Sequence, residues 1–205
     1  MVEILAAVRK EKSYELRKFF TDNGVPYVAW NVKGRGKEGG FKYRGFIRKK
    51  ILLPFLPKTL FCLWCKEEEA DALVKSILEV AHTGAYGDGK IFLLGKGGSV
   101  MKLVKAVLRP EKVPDVIREL EKRGIKAMTL WDVFGRGKEG GLQAGETFYD
   151  ELAKTMVMVA VEVGKVGDVI EALSKGAHTG AYGDGKVFVM DLSEVWTIRT
   201  KSRGL

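Results

Sequence analysis

AHTGAYGDGK, at residues 81–90, returns letter for letter at 177–186. Each copy follows an earlier GRGKEGG, at 34–40 and at 135–141, and the stretch between the two blocks is longer in the first copy. Aligning the identical blocks divides the chain into two units, 1–100 and 101–205, joined by a glycine-rich linker at 95–100. Two copies of so long a unit mark a gene duplication rather than a many-repeat solenoid.

Outward from the blocks, the second copy reads as a strand (MKLVKAVLR) and then a helix. PEKVPDVIRELEKRG sets Val113, Val116, Ile117 and Leu120 at helical spacing, with Gly124 as a stop signal. IKAMTLWDVFG and TMVMVAVEV are further strands, GKVGDVIEALSKGA is a second helix, and KVFVMDL closes the unit. The first copy repeats this order with VEILAAV, EKSYELRKFFTDNG, VPYVAWNV, TLFCLWC, EEEADALVKSILEVA and KIFLL. Each unit is therefore β-α-β, loop, β-α-β. Two such halves sharing one antiparallel sheet make an α+β, ferredoxin-like arrangement. Helices would cover one face of each sheet. The other face is apolar too, which argues for oligomerisation.

The chain's net charge of +9 is unevenly spread, +7 in residues 1–100 and +2 in 101–205. Such charge attracts nucleic acid, nucleotides or an acidic protein surface, and does not choose among them. No apolar stretch approaches the roughly 20 residues that span a bilayer, and MVEILAAVRKEKS lacks the basic-then-apolar order of a signal peptide. Cys62 and Cys65 form a CxxC pair, but strand alternation would put them on opposite faces and further metal ligands are not nearby. Two unpaired thiols suit a reducing, cytoplasmic location.

GAYGDGK imitates a P-loop and departs from it twice. Ile91 and Val187 stand where the Mg²⁺-binding Ser or Thr belongs, and a strand follows where a phosphate-facing helix should begin. That argues against a Walker NTPase. Glycines still let backbone N–H groups approach an anion closely, and the lysine that follows adds a point charge.

VFGRGKEGG, the intervening loop ending in AK, AHTGAYGDGKVFV and TIRTKSRGL together resemble the P-II family of nitrogen-regulatory signalling proteins. That family's pattern is roughly GxGRQKG, a T-loop ending in LPK, then TGxxGDGKIFV and RIRTG. The resemblance covers nearly the whole chain, once per unit. The second unit is most similar to the first of the paired P-II proteins encoded beside nitrogenase genes, and the first unit to the second of that pair.

The resemblance implies trimeric rings of ferredoxin-like units with ATP or ADP in the clefts between units. Mg²⁺ would accompany ATP, 2-oxoglutarate would join at the T-loop base, and the T-loops would bind or release a target. Carried over, the phosphate contacts are Gly87, Asp88, Gly89 and Lys90, and Gly183, Asp184, Gly185 and Lys186. Gly36 and Lys37, and Gly137 and Lys138, would close the nucleotide from the T-loop base. Thr129 matches a residue near the adenine, Arg199 a terminal phosphate arginine, and Lys58 and Lys154 the lysine that holds 2-oxoglutarate. Glu38 and Glu139 replace the glutamine that touches Mg²⁺ and 2-oxoglutarate. Their added charge predicts clear ATP and ADP binding with weak or absent 2-oxoglutarate binding.

The first unit ends at IFLLGKGGSV without a last strand or its arginines, Val28 replaces its adenine-side threonine, and Thr197 replaces one terminal arginine. The sites of the two units should therefore differ in strength. The T-loops differ in sign: residues 41–57 carry Arg44 and Arg48 among five basic residues and no acid, whereas 142–153 carry Glu146 and Asp150 among three acids and no base. With Tyr43 and Tyr149 they are the candidate target contacts, and opposed signs fit two different contact surfaces. Arg48 stands where the family carries a modifiable tyrosine.

The leading reading is a regulator, not an enzyme, that controls nitrogenase or another nitrogen-metabolism protein and works as a homotrimer. Control of an ammonium channel is the alternative within signalling. A nucleic-acid module is suggested only by the charge of the first unit, whose aromatics do not form a stacking platform. His82 and His178 are equivalent copies at helix ends and read as structural.

Overall fold

The computed structural model describes residues 1–36, 41–43, 50–52, 55–97, 101–136, 142–144, 147–149 and 151–205. The first unit runs β1 (Val2–Arg9), α1 (Ser13–Asp22), β2 (Tyr27–Arg35), β3 (Phe41–Tyr43), β4 (Lys50–Leu52), β5 (Leu56–Cys65), α2 (Glu67–Ala81) and β6 (Gly89–Leu94). The second repeats it as β7 (Met101–Leu108), α3 (Val113–Lys122), β8 (Met128–Gly135), β9 (Leu142–Ala144), β10 (Thr147–Tyr149), β11 (Leu152–Glu162), α4 (Val166–Ala177) and β12 (Gly185–Leu192). It then adds β13 (Glu194–Thr197) and β14 (Ser202–Arg203). This is the tandem ferredoxin-like arrangement expected. The stretches read as loops between the βαβ halves hold short antiparallel ribbons, β3 with β4 and β9 with β10.

The helices form where the apolar spacing placed them. Val113, Val116 and Leu120 of α3 are buried, and Gly124, at φ +74°, ends it while Ile125 N–H donates to the Leu120 carbonyl at 3.0 Å. Only glycine adopts that left-handed backbone without strain. Helix α2 buries Ala70, Val74, Ile77, Leu78 and Ala81 against the first unit's strands. Strands β1 and β5 are apolar along nearly their whole length because both of their faces are covered.

One antiparallel sheet of ten strands joins the units, in the order β12-β7-β11-β8-β2-β5-β1-β6-β13-β14. Helices cover one face, giving a separate core in each unit. The apolar opposite face does not stay open. Leu5, Val32, Leu60, Cys62 and Phe92 of the first unit pack with Leu103, Met158 and Leu192 of the second in a third core shared between units. Cys62 lies in this shared core and Cys65 packs against the helix-side core, so the two thiols do face opposite ways.

The junction between units is head-to-tail. Lys33, Gly34 and Arg35 at the end of β2 pair with Leu130, Thr129 and Met128 at the start of β8. Arg35 then crosses the boundary, donating to the Lys126 carbonyl at 2.8 Å and pairing with Glu121 at 2.6 Å. A second exchange was not legible in the repeat. Strand β13 leaves the second unit and pairs with β6 of the first, from Glu194 opposite Leu93 to Thr197 opposite Lys90. Ile198, just beyond it, is fully buried in the first unit's core. The strand that the first copy lacks is thus supplied by the second.

Candidate site at the first glycine turn

The turn between α2 and β6 is shaped around Asp88, which is fully buried. Its carboxylate accepts hydrogen bonds from Thr83 N–H at 2.8 Å, Gly84 N–H at 2.9 Å, the Thr83 hydroxyl and Arg9 Nε at 2.9 Å. Burial pulls its pKa upward, but the bonds from Thr83 and Arg9 outweigh that and hold it below the usual carboxylate range. Asp88 therefore shapes the turn from beneath. At Gly89 the backbone has φ +123°, and an added Cβ would sit 1.8 Å from the Ala7 carbonyl oxygen. Only glycine lets β6 pass β1 at that distance.

Cations gather around this turn. Arg9 also donates to the Tyr86 carbonyl, and Lys58 donates to the Gly87 carbonyl. Lys58 is nearly buried, its stem lying against Gly34, where any Cβ would come within 2.7 Å of it. Burial first, and the Arg9 charge second, bring its pKa down from 10.5 to about 8, with Asp88 and Glu11 offsetting this only in part. Lys90 reaches across to β13, donating to Thr197 Oγ1 at 2.8 Å and to the Gly204 carbonyl at 3.2 Å. The Arg199 guanidinium lies 4.6 Å from the Tyr86 ring centroid, and its carbonyl is 3.1 Å from His82 Nε2. A buried lysine depressed by burial and by a neighbouring cation is a group that an incoming anion would relieve.

Of the expected site residues, the structure brings Gly87, Asp88, Gly89 and Lys90 together with Arg199. Gly36 follows directly on β2, and Thr129 is buried opposite Gly34 in the β2–β8 register. Gly34 touches Lys58 and Lys58 touches Gly87, so a continuous path of contacts joins Thr129 to the turn. A cleft of about 550 Å³ lies between the units beside this path, lined by Lys10, Lys33 and Lys58 on one side and Leu130, Trp131 and Asp132 on the other.

Gly183, Asp184, Gly185 and Lys186 build a second turn at the opposite end of the sheet. Asp184 accepts from Thr179 N–H at 2.7 Å and Gly180 N–H at 3.2 Å, and Lys154 donates to the Gly183 carbonyl at 2.7 Å. Burial, then the Arg109 charge, lowers the Lys154 pKa. Lys37, Glu38, Arg44, Arg48, Gly137, Lys138, Glu139, Glu146 and Asp150 lie outside the described residues, and Tyr43 and Tyr149 fall on ribbon strands β3 and β10.

Arg9 and Tyr86 were missed by sequence reasoning, which read His82 as structural and Thr197 as the replacement of a terminal arginine. Arg9 is the last residue of β1 and its counterpart Arg109 directly follows β7, a recurrence that could have marked them. Nothing local in the sequence says that Thr197 meets Lys90.

The family model described as Nitrogen regulatory protein P-II matches residues 1–95 and again 101–202. A "Nitrogen fixation nifHD region GlnB-like protein 1" of Methanothermococcus thermolithotrophicus is 46% identical over 105 residues, covering 51% of this chain and 100% of that protein. A "nifHD2 region GlnB-like protein 1" of Methanosarcina barkeri is 47% identical with the same coverage. A crystal structure of Arabidopsis thaliana PII bound to citrate is 34% identical, spans 52% of this chain and 88% of that one, and superposes with a TM-score of 0.44. With a match in each half, the chain belongs to the P-II family of nitrogen regulatory proteins, two of whose units it carries in tandem.

Proposed function

We propose that this P-II protein senses adenine nucleotides at its glycine turns and relays their occupancy to the T-loops, which engage a nitrogen-metabolism target. The observation that carries this reading is the meeting of two units at one turn: Tyr86 and Lys90 from the first, Thr197 and Arg199 from the second. Lys90 and Arg199 suit a polyphosphate, and Thr129, near the T-loop base, suits the adenine side. ATP would bring Mg²⁺ held on its own phosphates. Among the described residues no group of three His, Cys, Asp or Glu side chains forms a metal site. Lys58 and Lys154 each present an ammonium at a turn and are the candidates for 2-oxoglutarate.

The family has the role of a regulator rather than a catalyst, and this chain is proposed to act in the same way, in the cytoplasm, as units 1–100 and 101–205. The nifHD-region naming of its relatives favours nitrogenase as target. Calorimetric titration of the full chain with ATP and with ADP tests the sensing, and a pull-down from lysate in each nucleotide tests the relay. Absence of binding by both nucleotides overturns the reading.

A further inference from the structure

The two GDGK turns are identical in sequence and unlike in surroundings. Strand β6 behind the first turn is paired on both edges, by β1 and β13. Among the described residues, strand β12 behind the second is the outer strand of the sheet, paired only with β7. Val187, Phe188 and Val189 are accordingly 37%, 51% and 44% exposed, where their counterparts Ile91, Phe92 and Leu93 are 0%, 6% and 0%. The open turn is also looser. Arg109 Nε stands 3.4 Å from Asp184 and is left without a hydrogen bond, whereas Arg9 Nε bonds Asp88 at 2.9 Å.

The reason is a count of strands. The chain holds two GDGK turns and one WTIRTKSRGL segment, and that segment is committed to the first turn. A second copy does not repair the deficit through the same head-to-tail contact. By correspondence with the contact of residues 33–35 to 128–130, the edge left open on the second unit, around Phe134, would meet residues 27–29 of a first unit. A first unit brings Val28 in place of Thr129, and no closing strand of its own.

Resting on the nucleotide reading above, we propose that each chain closes one adenine-nucleotide site, at Gly87–Lys90, and leaves the Gly183–Lys186 turn open as a much weaker one. The open turn lacks the Arg199 cation and the stacked Tyr86–Arg199 pair. Losing a charge-assisted phosphate contact weakens binding roughly ten- to hundredfold.

Calorimetric titration of the full chain with ADP should give one tight site per chain. Lys90→Ala and Arg199→Ala should each weaken it roughly ten- to hundredfold, and Lys186→Ala should leave it within about twofold. Two equal sites per chain, or a tight site lost with Lys186→Ala and kept in Lys90→Ala, overturns this proposal while leaving nucleotide sensing intact. Absence of ADP and ATP binding overturns both. Amide exchange of the unliganded chain gives an independent readout should the Lys90 variant fold poorly. Amides of residues 90–94 should be protected as a strand paired on two edges, with faster exchange on the outer edge of 187–191. Equal protection of both strands overturns the asymmetry.

Discussion

Lys58 sets a pH dependence that can be read directly. Its pKa falls from 10.5 to about 8 on folding, so between those values the unfolded chain holds more protons than the folded one. Stability therefore rises with pH through that window, and the full burial penalty is present below pH 8. At 1.36 kcal/mol per unit the gain approaches about 3 kcal/mol. Urea unfolding of the wild type against Lys58→Met, from pH 7.5 to 10.5, should show the wild type gaining on the variant by an amount of that order. A constant difference between them would place Lys58 in water. Glu38 and Glu139 support a second expectation at this scale. Two like charges at about 4 Å repel by roughly 4 kcal/mol at an effective dielectric near 20, before Mg²⁺ and lysines offset part of it. Calorimetry in Mg-ATP should find weak or absent 2-oxoglutarate binding that improves severalfold in Glu139→Gln. Tight binding by the unmodified chain would refute the charge argument.

Among the elements, β13 has the largest consequence for its length. It is four residues long, yet it pairs β6, brings Thr197 to Lys90 and delivers Ile198 to the first core. Backbone bonds pin it at both ends, from Ser193 N–H to the Leu93 carbonyl at 2.8 Å and from Ile198 N–H to the Gly89 carbonyl at 3.1 Å. Truncating a fully buried isoleucine removes its transfer free energy and leaves a cavity, at a cost of about 2–5 kcal/mol. Ile198→Ala should therefore destabilise the first unit, lowering amide protection of β1 and β6 more than that of β7 and β11. A loss confined to the second unit would show that β13 packs at home.

For the whole molecule, the head-to-tail junction leaves two complementary edges unsatisfied. Val28 is 51% exposed at one end of β2 and Phe134 is 77% exposed near the end of β8, at positions corresponding to those already joined inside the chain. A heterologous contact of this kind either closes into a ring or runs on as a filament, so chains should associate. The sequence-based expectation is a homotrimer, whose three chains supply six units. Light scattering at micromolar concentration should report it, and Phe134→Lys should weaken it while changing the unfolding free energy of the chain by no more than about 0.5 kcal/mol. A stable wild-type monomer would contradict this expectation.

The repeat, the helices and the ferredoxin-like order were legible because they rest on local signals: apolar spacing at Val113, Val116 and Leu120, the stop at Gly124, and blocks repeated verbatim. The glycine turns were legible as turns for the same reason, and the missing final strand of the first unit showed as a gap between the two copies. What filled that gap was not written locally. Thr197 and Lys90 lie more than a hundred residues apart, and their meeting depends on which of two nearly identical edges β13 pairs with. Strand pairing is specified by long-range packing as much as by backbone propensity. The choice of β6 over β12 was decided only when Ile198 and Val195 found a core to enter, and with it the different surroundings of two identical turns.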